Sequence, residues 1–171
     1  MSVGTQIWRD ALAEQFGASI NMLERAIVAC PDGLWATKAG KREFWYIAYH
    51  TLFFVDLYLS GTADGFAPPS PFTVSELNPL GIRPERQYTK AELLEYVGHC
   101  REKCRAAIES LTDLESVREV RFDWLRMQVG ELMLYNMRHV QHHTGQLNMV
   151  LRQNGIEAPD WRGRVTGEDD G

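Results

Sequence analysis

Residues 45–61, WYIAYHTLFFVDLYLSG, give a helix almost no polar face to turn toward water. A surface helix carries one apolar stripe, so a segment that is apolar nearly all round has to be covered on several sides. It is too short to span a bilayer comfortably, and His50 and Asp56 interrupt it. The chain must therefore bury this helix among others of its own.

Three further segments carry helical periodicity. The first runs from about Thr5 to Cys30, with Ile7, Ala11, Phe16, Ile20, Leu23 and Ile27 read as one face, and Pro31 and Gly33 stop it. The apolar helix covers about Arg42 to Ser60, with Gly61 as terminator. The third spans about Thr89 to Leu111, where Thr89 and Glu92 spell a capping box. The fourth spans about Gln128 to Asn154, closed by Gly155. No window alternates apolar and polar residues long enough to suggest a sheet. The expected fold is all-α, a four-helix bundle forming one domain over residues 1–171.

The connections are unequal. Residues 62–88 hold five of the seven prolines, and a connection of that length serves as a lid or as a long crossover between bundle layers. Phe66, Phe72 and Tyr88 within it need something to pack on. Residues 112–127 are irregular, and RFDW there either starts the last helix early or forms a separate turn.

Composition excludes several roles. The net charge is −5 and no basic run or arginine stripe is present, which argues against nucleic acid as main partner. The first residues lack the basic-then-apolar layout of a secretory signal, and three cysteines do not pair evenly, so a reduced, cytoplasmic setting is expected. Residues 162–171, with GEDDG at their end, are expected to form a flexible acidic tail. Cys100 and Cys104 beside His99 have the look of a metal site. They fall, however, on a stripe with Leu93, Val97, Ala107 and Leu111, where small core thiols belong.

Histidine chemistry concentrates elsewhere. His139 and His143 lie four apart on a stripe with Leu132, Asn136, Gln146 and Val150, so both rings can converge on one point. His50 shares a stripe of the second helix with Tyr46, Ile47, Phe54 and Leu57, and a facing helix is where a third ligand is required. His142 is rotated about 100° from His143, off that face. Spacing leaves open an alternative in which His142 pairs with His139 at i, i+3, and another in which these are core histidines with separate hydrogen-bond partners. Val140 follows His139, so the His-Glu-x-x-His zincin motif is absent, and no histidine has glutamate three residues before it, as a di-iron bundle needs.

The segments AYHTLFFVDLYL, MRHVQHHTGQLNMVLRQNG and PDW, in that order along nearly the whole chain, resemble the DinB-like metalloprotein family. The resemblance implies a four-helix bundle with a long crossover between helices two and three, commonly a homodimer. It also implies a divalent ion, zinc or nickel, held by one histidine of helix two and two of the last helix, here His50, His139 and His143. Related bundles with an assigned reaction use low-molecular-weight thiols such as bacillithiol or mycothiol. The function this implies is a metal-dependent thiol S-transferase acting on a small electrophile, with no membrane partner. Tyr46, Asn136 and Gln146 are the expected pocket or supporting residues. A hydrolase using hydroxide held on the metal is a second reading, but it needs a carboxylate base. None sits on the two histidine stripes, and Asp56 lies about 240° round from His50. A non-catalytic metal- or small-molecule-binding dimer is the third.

Overall fold

The computed structural model describes residues 3–39 and 42–165. The elements run α1 (Val3–Ala29), α2 (Asp32–Trp35), β1 (Lys38–Ala39), β2 (Arg42–Glu43), α3 (Phe44–Ser60), a 3₁₀ turn (Val74–Leu77), α4 (Lys90–Ser110), α5 (Asp113–Ser116), β3 (Glu119–Phe122), β4 (Leu125–Gln128) and α6 (Val129–Gln153). The long helices α1, α3, α4 and α6 form the expected four-helix bundle. None of the described helices is long and apolar enough to cross a membrane.

In the bundle α3 packs between α4 and α6, and so does α1 on the far side. Tyr49 meets Tyr88, Asp56 meets Tyr96 and Ser60 meets Lys103, so α3 and α4 run parallel. A parallel neighbour can be reached only by carrying the chain back along the whole of α3, about 25 Å for its 17 residues. That return is the proline-rich crossover. Its aromatics do pack: Phe72 stacks on Tyr96 at 4.3 Å, Tyr88 lies 4.8 Å from Tyr49, and Phe66 meets Phe53 edge-on.

The predicted helix boundaries hold where local chemistry marks them. Thr89 accepts from the Glu92 amide while the Glu92 carboxylate accepts from the Thr89 amide, which is the capping box. Gly61 and Gly155 both adopt positive φ, 71° and 72°. Beyond Gly155, the Ile156 amide reaches back to Leu151 O, and that of Gly155 to Arg152 O, satisfying the last carbonyls of α6.

Four expectations need correction. On α1, Ile7 and Ala11 are exposed and Leu12 is buried in their place, because Ile7 is nine residues, half a revolution, from Phe16. The apolar helix begins at Phe44, since Arg42 and Glu43 pair with Lys38 and Ala39 in a small hairpin. A second hairpin, β3–β4, occupies part of the irregular 112–127 stretch, and Asp123 and Trp124 of RFDW form its turn. Strands this short escape any test for sustained alternation. Finally, the segment through Val165 lies along α1, with Gln15 Nε2 donating to Gly163 O and the Val165 amide donating to Glu14. Residues 166–171 of the expected acidic tail lie outside the described residues.

Candidate metal centre

Every residue of α3 from Phe44 to Tyr58 is buried except His50 and Phe54, the two that face a cleft against α6. The helix is apolar all round because the fold encloses it everywhere but there. Opposite, one turn apart on α6, stand His139 and His143. The His50 ring lies 5.5 Å from that of His139 and 4.9 Å from that of His143, while those two are 4.5 Å apart. One nitrogen from each of the three comes within 4.8 Å of the others.

What surrounds the rings decides which nitrogens are available. His50 Nδ1–H donates to Glu76 Oε2 at 2.6 Å, and His143 Nδ1–H donates to Gln146 Oε1 at 2.9 Å. Both rings are thereby fixed with Nε2 unspent, the arrangement by which carboxylates and amides orient metal-binding imidazoles. His139 is held by packing against Phe54, and its Nδ1 is buried without a hydrogen-bond partner. Burial, followed by the neighbouring imidazoles, pushes His139 down to about 3. Burial also pushes His143 down to about 4, against the opposing effect of its bond to Gln146. Three imidazole nitrogens converging on one point, with no hydrogen bonds among them, fit a first-row divalent cation.

Those shifts also set the acid stability of the metal-free fold. In the unfolded chain both histidines titrate near 6.5, so between that value and the folded ones the unfolded chain binds more protons. Their contribution is complete above about pH 6.5 and is lost as pH falls toward about 4 and then 3. The urea midpoint of metal-free protein is therefore expected to fall between about pH 7 and about pH 5, and His139→Gln should remove much of that fall. A variant as acid-sensitive as the parent would exclude His139 as a source.

The cleft above the histidines, about 490 Å³, is walled by Phe54, Tyr58, Trp124 and Tyr135. Trp124 arrives on the tip of the β3–β4 hairpin and donates its indole N–H to Tyr58 Oη at 3.1 Å. Leu77, Asn78 and Pro79 of the crossover close another side.

Of the expected supporting residues, Gln146 bridges His143 and His142, donating Nε2–H to His142 Nε2 at 3.1 Å. Tyr46 Oη donates to Glu76 Oε1 at 2.5 Å. Asn136 is not in the cleft wall; buried, it donates to Val55 O of α3. Two carboxylates were missed. Glu76 stands on the 3₁₀ turn, where burial alone would raise its pKa but the hydrogen bonds from His50 and Tyr46 hold it below the usual carboxylate value. Asp123 lines the cleft from the hairpin tip. The only local sign of either is Thr73 three residues before Glu76, a capping spelling that marks a turn without saying where the turn docks. His99 and the α4 thiols take no part. His99 faces Asp56 at 3.3 Å, and burial pushes Cys104 up to about 12 and Cys100 well above its ordinary value.

Residues 15–147 match the sequence profile of the DinB superfamily. The chain belongs to the DinB superfamily. Solved DinB-like structures share its fold. YjoA from Bacillus subtilis is 19% identical, covering 89% of this chain and 98% of its own at a TM-score of 0.62. A DinB-like protein from Bacillus cereus is 16% identical, covering 83% and 89%, at a TM-score of 0.62. YfiT from Bacillus subtilis, described as a probable metal-dependent hydrolase with an unusual four-helix bundle topology, is 16% identical, covering 92% and 91%, at a TM-score of 0.62. No curated protein matches the chain.

Proposed function

We propose that this DinB-superfamily chain is a metal-dependent thiol S-transferase acting on a small electrophile, with His50, His139 and His143 holding zinc or nickel. The observation that carries the reading is the convergence of three imidazoles, with one nitrogen of each within 4.8 Å of the others, at the floor of an aromatic cleft. A divalent ion bound there would keep its full charge, because no ligand is anionic, and would favour the thiolate form of a nearby sulfhydryl. Glu76 and Gln146 hold the His50 and His143 rings in place. Phe54, Tyr58, Trp124 and Tyr135 supply apolar contact for the electrophile and exclude water around it. The thiol has to arrive as a co-substrate, since Cys30, Cys100 and Cys104 are buried and burial raises all three thiol pKa values. A cytoplasmic homodimer is part of the proposal.

Asp123 favours a second reading. Hydrolysis needs a carboxylate base, and the hairpin brings one to the cleft, where it can take the proton from an attacking water. The description of YfiT points the same way. Metal-loaded protein should be given 1-chloro-2,4-dinitrobenzene with and without cysteine, and p-nitrophenyl acetate without thiol. Adduct formation that requires cysteine and stops on chelation is the expected result. Thiol-independent ester cleavage that Asp123→Asn abolishes would establish the hydrolase instead. Metal uptake with neither activity would leave a metal-holding protein.

A further inference from the structure

Beside the histidine cleft lies a second cavity, about 400 Å³, which shares His50, Phe54 and Glu76 with it. Its outer wall carries two arginines, Arg42 of β2 and Arg83 of the crossover. They are not equivalent. Arg83 is paired with Glu43 and lies over the Tyr46 ring, 4.1 Å from the centroid. Arg42 lies over the same ring at 5.3 Å and makes no ion pair among the described residues. The carboxylate at the inner end of the cavity, Glu76, has one oxygen engaged by His50 and the other by Tyr46. Arg42, with the Tyr46 ring beneath it, close enough to Glu76 to help hold that carboxylate ionised, and without an ion pair among the described residues, therefore stands in the wall of a cavity that reaches His50.

We infer that this cavity is a subsite for the anionic end of the thiol co-substrate, with Arg42 pairing a carboxylate of that molecule. The guanidinium fork matches a carboxylate through two parallel N–H···O bonds, which a neutral thiol cannot use. The geometry then divides the reactants between two chambers. The co-substrate's charged end lies toward Arg42, its sulfur reaches the histidines past His50, and the electrophile's apolar body lies among Phe54, Tyr58 and Trp124. The inference rests on the thiol reading proposed above, and its test separates the two.

Cobalt-loaded protein gives a thiolate-to-metal absorption band when a thiol binds, and the band can be titrated with mercaptosuccinate and with neutral 2-mercaptoethanol. Mercaptosuccinate is expected to bind about tenfold more tightly, the scale of one charge-assisted contact at an exposed arginine. Arg42→Gln should bring it down to the level of 2-mercaptoethanol while leaving 2-mercaptoethanol binding, metal content and melting temperature unchanged. Equal affinities in the parent protein, or a preference that survives Arg42→Gln, would overturn the subsite. If neither thiol produces a band, the thiol reading fails, and calorimetric titration with succinate decides the subsite alone. Succinate binding lost in Arg42→Gln would uphold it; no binding, or equal binding by both proteins, would overturn it.

Discussion

His50→Ala, His139→Ala and His143→Ala are each expected to lose most of the bound metal, whereas His142→Ala retains close to one equivalent. Removing a residue that merely orients a ligand costs about 10- to 100-fold in affinity, so removing a ligand should cost more than about 100-fold. His142 differs by geometry. It is exposed, its Nε2 accepts from Gln146, and the convergent group consists of His50, His139 and His143. Metal analysis after purification and dialysis is the check. Retention by His143→Ala with loss in His142→Ala would put the ion between His139 and His142 and overturn the assignment. Glu76→Gln gives an intermediate case: the His50 ring keeps a hydrogen-bond acceptor but loses its charged one, so affinity should fall without collapsing.

These residues differ in how visible they are from sequence, and the reason is physical. His139 and His143 share a helix, so their common face follows from spacing alone. The same is true of Leu93, Val97, Cys100 and Cys104, which line the buried face of α4. Thr89 with Glu92 and the glycines at 61 and 155 act within one turn of chain, and they mark the helix ends correctly. Ile7 and Ala11 face solvent because a long helix offers several loose stripes, and the neighbouring helices choose among them. Glu76 is 26 residues from His50, on a single 3₁₀ turn inside an irregular crossover. No periodicity relates the two; they meet because α4 must run parallel to α3, which brings the crossover back past the histidine. Asp123 and Trp124 reach the cleft for the same kind of reason, on a hairpin whose strands have four residues each.

Asp56→Asn is expected to weaken the fold by about 3 kcal/mol while leaving metal content near one equivalent. Asp56 lies on the side of α3 away from His50 and is 1% exposed. Its carboxylate accepts from Tyr96 Oη at 2.9 Å, from His99 Nε2 at 3.3 Å and from Lys103 Nζ at 2.5 Å, and Lys103 also donates to Ser60. Breaking a buried ion pair from one side costs about 3–5 kcal/mol, since the partner's charge is left uncompensated. Lys103 retains 29% side-chain exposure and can recover some hydration, which puts the loss at the lower end. For a domain of this size the melting temperature should drop by about 6–12 °C. Asparagine preserves the volume, so the loss reports charge and hydrogen bonding rather than a cavity. His143→Ala should show the opposite pattern, with metal gone and the metal-free melting temperature little lowered, because the His143 ring opens on the cleft and its hydrogen bond is to the exposed Gln146. If Asp56→Asn lost its metal and melted like the parent, Asp56 would belong to the site, and the division of α3 into a binding face and a structural face would be wrong.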